Sequence, residues 1–338
     1  MRSDVKIPSC GLDLAGWLYV PDGMKKKETR PAIVMAHGLS AVKEMYLDAF
    51  AERFCAAGFV VTVFDYRCQG SSPGEPRGQI FPDDQHDDYR NAITWTQGLA
   101  EVDAEKIGIW GSSYSGGHVI YVSAFDRRVK AAACQVPLVD GLENTRRLVR
   151  ADIHPAFRAL LNEERAARAT DPGKVSYFPV VTEDCNGAVL PTPDSWKWFS
   201  ETGKTRAPTW KNEMTWESVE KLIEYRPGTH IHLIAPTPFL MVVASDDVLT
   251  PTDLAIEAFN RAREPKKLVV IPGGKTVKLF GTAYDRFYVP ALYEPSALGG
   301  LVLAKIAVTV AADLARSRTL HALGERSIDL DGEAVQVT

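Results

Sequence analysis

The sequence predicts an α/β chain: a mostly parallel, doubly wound sheet with an inserted helical cap. Three observations carry this. Short apolar runs at 31–36, 59–67, 106–110 and 130–136 alternate with segments of helical period, as parallel strands covered on both faces do. The alternation stops after Pro137 and resumes at 238–245 and 266–274. One apolar run leads through a small-residue turn, Gly111 to Gly117, straight into a helical stretch.

Taken in order, LDLAGWLYV (12–20) is an early antiparallel strand ending at the Pro21-Asp22-Gly23 turn. PAIVMA (31–36) is a short apolar strand followed by His37-Gly38, and the helical pattern over 44–57 closes at Gly58. FVVTVFDYR (59–67) is the next buried strand, and CQGSSPGEP after it is a loop by composition. A helix is expected over 84–99, a strand at KIGIW (106–110), a helix to about Ala124 and a strand at KAAACQV (130–136). Residues 138–235 contain two helical stretches and a segment rich in Pro, Thr and Trp, including Trp196, Trp198, Trp210 and Trp216. The expected division is a core of 1–137 with 236–338, and a cap of 138–235.

The 338 residues carry a net charge of -4 without clustered Lys or Arg, which argues against a nucleic-acid footprint. The short basic runs Lys25-Lys26-Lys27 and Arg146-Arg147 read as solvated surface. Five scattered cysteines without CxxC spacing fit a reducing compartment and predict neither disulfides nor a zinc site. The start of the chain lacks an apolar signal region, and LGGLVLAKIAVTVAADLA is interrupted by Lys305 and too short to span a bilayer. A cytoplasmic protein is expected. No cofactor is implied, because GSSYSGG does not match GxGxxG. The acids Asp83, Asp84, Asp87 and Asp88 around His86 sit at a helix start, where capping and solvation explain them without a metal.

Chemistry concentrates at Ser113. A nucleophilic Ser on a strand-turn-helix corner needs small residues two positions before and after it, because strand and helix approach closely. Gly111 meets the first need, and Ser115 stands where Gly is usual. The helix N-terminus behind Ser113 turns N–H groups toward developing negative charge. Tyr114 N–H is one candidate oxyanion donor, and Leu39 N–H, after the His37-Gly38 turn, is the other. Ser112 is out of register with Gly111, and His37 reads as structural. The acid is expected after the strand that follows the cap, where SDDVLTP offers Asp247 ahead of Asp246. A base should follow LVVIPGG, but Lys275 stands there, and the one later histidine is His321. Lys275 acts as a base only if burial lowers its pKa.

At HGLSAVKEM, FDYRCQGSSPGEPR, WGSSYSGGHVI, DRRVKAAACQVP and SDDVLTPTDLAIEAF the chain resembles the α/β-hydrolase superfamily. The likeness is to its dienelactone-hydrolase-like branch, with the fungal polyketide transferases and thiohydrolases. It runs from about residue 10 to residue 274. It implies an α/β-hydrolase fold, Ser113 as nucleophile, Asp247 as acid, and acyl chemistry on a bulky, apolar, polyketide-like ester or thioester, free or carrier-bound. The family pattern near the end resembles GGHFDAY, whereas this chain reads GGKTVKLFGTAY. Two explanations stay open: loss of hydrolytic function, or a tail translated from a wrong exon or frame. The function expected first is a serine-type hydrolase or acyltransferase. The alternatives are a non-hydrolytic cyclase or lyase and a ligand-binding pseudoenzyme on the same scaffold.

Overall fold

A computed structural model describes residues 1–272. The chain opens with the strands β1 (Arg2–Ser9), β2 (Leu12–Tyr19) and β3 (Arg30–Ala36), then helix α1 (Leu47–Ala56) and strand β4 (Val60–Phe64). Helix α2 (Pro82–Gln97), strand β5 (Val102–Ser112), helix α3 (Tyr114–Phe125) and strand β6 (Val129–Gln135) follow. Next come helices α4 (Gly141–Leu148) and α5 (His154–Thr170), strand β7 (Tyr177–Phe178), helix α6 (Pro193–Thr205), strand β8 (Met214–Thr215) and helix α7 (Trp216–Glu224). Strand β9 (Phe239–Ala244), helix α8 (Thr252–Arg261) and strand β10 (Lys266–Ile271) complete the described residues.

Eight strands form one sheet in the order β1-β2-β4-β3-β5-β6-β9-β10. From β4 to β10 the neighbours pair in parallel, while β1 with β2, and β2 with β4, pair antiparallel. The apolar runs are continuous because both faces are covered. Along β3, Ala32, Val34 and Ala36 join one apolar cluster, while Ile33 and Met35 join the opposite one. Burial of Val34, Ile33 and Met35 contributes roughly 1.5–3 kcal/mol each.

Two elements differ from the sequence expectation. Strand β1 was not signalled, because only Ile7 and Ser9 of its eight residues are buried and its outer edge is unpaired. Its register with β2, from Arg2 opposite Tyr19 to Ser9 opposite Leu12, makes it a strand. Residues 138–235 hold four helices rather than two, because α4 and α7 are only 8 and 9 residues long, too short for their period to stand out. Caps define α4 and α7 instead: Asp140 and Thr215 accept from the N–H groups of Glu143 and Ser218, as Thr192 does from Ser195 at the start of α6.

The functional consequence lies in strand order. From β3 the chain passes to β4 on one side and returns to β5 on the other. The carboxyl ends of β3 and β5 therefore flank the point where winding reverses, where open α/β sheets present their ligand crevice.

Candidate active site

Strand β5 ends at Ser112, and α3 begins at Tyr114, so Ser113 alone makes the corner. Its backbone sits at φ 56°, ψ -119°, outside the regions L-residues favour. Such strain costs about 1–3 kcal/mol and survives only where the surroundings hold it. Here the Ser113 N–H donates to the Gln135 carbonyl (2.9 Å), and the Ser113 carbonyl accepts from Leu138 N–H (2.9 Å) and Gly117 N–H (3.2 Å). Strand β6 and its exit thus clamp the corner from both sides.

The small residues have a measurable reason. A Cβ at position 111 would stand 2.5 Å from the Ser115 carbonyl oxygen, so Gly is required. Ser115 is tolerated opposite it because its buried hydroxyl meets the Tyr66 hydroxyl at 2.9 Å. Ser112 points elsewhere: its Oγ accepts from the Gln135 side-chain amide, and the residue is fully buried.

Behind the corner lies a buried polar chain. His118 Nε2 lies 2.8 Å from Gln85 Oε1, and an amide oxygen only accepts, so Nε2 carries the proton. His118 Nδ1 then accepts from the Tyr225 hydroxyl (2.9 Å), which in turn accepts from His86 Nε2 (3.0 Å). Burial holds both imidazoles neutral, lowering His118 well below the usual value and His86 to about 3. This chain ties α3 to α2 and to the end of α7, and it occupies both ring nitrogens of His118.

The second arm comes from β3. A Cβ on Gly38 would approach Ser113 Cβ to 3.2 Å, which brings the 38–39 peptide beside the Ser113 side chain. Among the described residues neither Leu39 N–H nor Tyr114 N–H has a hydrogen-bond partner. Two unspent donors beside one hydroxyl suit a developing oxyanion. His37 braces this arm. Its Nδ1 donates to the Gly38 carbonyl (3.0 Å), its ring packs edge-on against Tyr66, and Nε2 lies 3.6 Å from Asp65. Desolvation lowers its pKa despite the opposing charge of Asp65. Asp65 in turn accepts from Lys43 Nζ (2.8 Å), Lys43 N–H and Ser71 N–H, a buried anchor that the sequence did not announce.

Asp247 is buried after β9. Its carboxylate accepts from Leu249 N–H (3.0 Å), Thr250 N–H (3.1 Å) and the Thr250 hydroxyl (2.9 Å). Asp246 is exposed and bonds Ser245. Leu249 and Thr250 line the same cavity as Ser113, so the Asp247 loop borders it. Lys275 and His321 lie outside the described residues.

That cavity, about 210 Å³, is walled by His37, Leu39, Ser113 and Tyr114 on the sheet side and by Phe157, Phe178, Trp198 and Phe199 from residues 138–235. The arrangement can bind an apolar acyl chain with its carbonyl between Ser113 and two free N–H groups. Among the described residues no cluster of His, Cys, Asp and Glu suits a metal ion. Within the acidic run at α2, Asp83 and Asp87 are exposed, but Asp88 differs from its expected role. It is fully buried, pairs with the Arg67 guanidinium (2.7 Å), which fastens the exit of β4 to α2, and accepts from the Ser9 hydroxyl (2.6 Å), which ties β1 to α2.

Known proteins resemble this chain in sequence and fold. Residues 11–275 match the X-Pro dipeptidyl-peptidase (S15) family. The thiohydrolase aneE of Aspergillus aculeatus is 31% identical over 271 residues, spanning 76% of this chain and 80% of that protein. The crystal structure of the α/β hydrolase GrgF from Penicillium sp. superposes with a TM-score of 0.69 at 28% identity, covering 84% of this chain and 94% of that one. DcsB, solved in complex with its substrate analogue, gives a TM-score of 0.73 at 25% identity, covering 84% and 94%. By this extent of likeness, over a sheet and a serine corner built as described, the chain belongs to the X-Pro dipeptidyl-peptidase (S15) family and is an α/β-hydrolase-fold enzyme of the hydrolase and acyltransferase kind.

Proposed function

We propose that the protein forms an acyl-enzyme at Ser113 from a bulky, apolar, polyketide-like ester or thioester, free or carrier-bound, and passes the acyl group to water or another acceptor in secondary metabolism. The observation that carries this is the Ser113 corner opening on an apolar cavity between two unpartnered N–H groups. Ser113 Oγ attacks the acyl carbonyl carbon, and the C=O electron pair moves to oxygen, facing Leu39 N–H and Tyr114 N–H. Collapse restores the carbonyl and breaks the acyl C–O or C–S bond. The leaving oxygen or sulfur takes up the proton that Ser113 Oγ gave up in the attack and departs as the alcohol or thiol. Water or the acceptor then attacks the acyl carbon, the bond to Ser113 Oγ breaks, and the proton of the attacking group returns to that oxygen. A donor of this kind typically contributes 10²–10³ in rate. Asp247 serves as the acid member, its carboxylate oriented by the N–H groups of Leu249 and Thr250 and by the Thr250 hydroxyl. Residues 138–235 act as the cap over the acyl chain, and the reaction takes place in the cytoplasm.

The base is the distinctive part. His37 and His118 are engaged elsewhere, and Lys275 stands where the family pattern carries His. A serine without a matched base reacts orders of magnitude more slowly. A fluorophosphonate probe is expected to label the protein at Ser113, and labelling that persists in Ser113→Ala rejects the nucleophile. Lys275→His is expected to raise p-nitrophenyl ester turnover at least tenfold, and an unchanged rate counts against Lys275 as the substituted base position. Full turnover of the natural substrate by Ser113→Ala would favour a cyclase or lyase working through the oxyanion donors alone.

A further inference from the structure

The wall of the cavity is apolar except at a few points, and most of these are satisfied internally. Thr145 Oγ1 donates to the Gly141 carbonyl, Thr250 is held by Asp247, Arg150 pairs with Asp152, and the Asn186 amide donates to Asp184. The Tyr114 hydroxyl lacks a partner but is sealed from the cavity, its ring packed against His118 and Tyr225. Asn144 differs. It lies on α4 in the cavity wall and is only 9% exposed, and among the described residues its side-chain amide has no hydrogen-bond partner. Its backbone N–H is used by the Asp140 carbonyl, so the helix explains the main chain and not the side chain.

The amide is not sealed in the interior but opens on the cavity, so an acyl chain that displaces solvent from it binds best when it replaces the hydrogen bonds the amide loses. We propose that Asn144 is a specificity-determining contact: its amide hydrogen-bonds an oxygen carried on the acyl chain, a hydroxyl or oxo group away from the reacting carbonyl. The enzyme then selects oxygenated acyl chains over plain fatty-acyl chains of the same length. This rests on the acyl-transfer reading above. A site built to hydrogen-bond a substrate rejects the analogue lacking that group, whereas a purely apolar wall discriminates weakly.

The test is binding, which does not need turnover. N-butyl amides of decanoic acid and of its 3-, 5- and 7-hydroxy and -oxo counterparts are titrated calorimetrically into the Ser113→Ala protein. At least one oxygenated amide is expected to bind five- to tenfold more tightly than the decanoyl amide, about the net worth of one neutral hydrogen bond. Adding Asn144→Leu is expected to abolish that preference while the decanoyl amide binds as well or better. Asn144→Ala, which only removes atoms, gives the same loss if Leu impairs folding. The proposal is overturned if no oxygenated amide outbinds the decanoyl amide, if none of the amides binds, or if the preference survives both Asn144 variants. Fluorophosphonate labelling reports on Ser113 separately. Selective binding without labelling removes the acyl-enzyme and keeps the Asn144 contact, and labelling without selective binding does the reverse.

Discussion

Ser113 holds a strained backbone. Its φ 56°, ψ -119° mirrors an ordinary extended conformation, which Gly adopts freely and Ser does not. Ser113→Gly is therefore expected to raise stability by about 1 kcal/mol while eliminating fluorophosphonate labelling, as read by urea unfolding and mass spectrometry. Ser113→Ala keeps the strain and is expected to leave stability near that of the parent chain. A stabilised Ala variant, or a Gly variant without gain, would mean the corner is not strained by its backbone. Neighbouring Gly38 is tight rather than strained. Gly38→Ala is expected to slow acylation about tenfold or more, because the new methyl would press on Ser113 at 3.2 Å and shift the oxyanion arm.

Helix α3 is the element that presents the serine, and the His86–Tyr225–His118–Gln85 chain seats it against α2. The pH dependence follows from burial. Folded His86 titrates at about 3, mainly because burial penalises its charged form, with the charges of Arg90 and His230 adding to this, whereas the unfolded residue titrates near 6.5. Below pH 6.5 the unfolded chain binds a proton that the folded chain refuses, so stability falls as pH drops from 6.5 toward 3. His86 alone removes about 2 kcal/mol between pH 7 and pH 5. Chemical denaturation at the two pH values measures this, and His86→Phe is expected to lower the parent stability at pH 7 and flatten the slope by about one proton. An unchanged slope would mean that His86 is not held neutral. Ser115 and Tyr66 illustrate the same point about elements: a hydroxyl at the Gly position of the corner is acceptable because another strand's exit supplies its partner.

At the scale of the molecule, stability is uneven. The inner strands β3, β4 and β6 and helix α3 are almost wholly buried, whereas α5 has no buried residue over its 17 positions and keeps Leu160 exposed. Few buried contacts mean low local opening free energy. Hydrogen exchange is expected to be fast at 154–170 and slow at 107–124. Because Phe157 of α5 lines the cavity, an acyl amide bound there is expected to slow exchange in α5. Equal protection of the two segments in the free protein would contradict this picture.

The sequence by itself determined the parallel core and the strand-turn-helix corner at Ser113, and it supplied the residues proposed as donors, Leu39 and Tyr114, and as acid, Asp247. These are local signals: apolar runs of strand length, a small-residue turn between strand and helix, and a carboxylate at a strand exit. Tertiary structure alone decided the rest. Edge strand β1 has almost no apolar pattern and exists through its register with β2. Asp88, Asp65 and His118 look like surface or catalytic groups in one dimension, and become structural because distant partners satisfy them in the interior. Asn144 carries no sequence signal at all. Its interest arises from what surrounds it, a wall of side chains brought together from both sides of the cavity that leaves one amide for a ligand to complete.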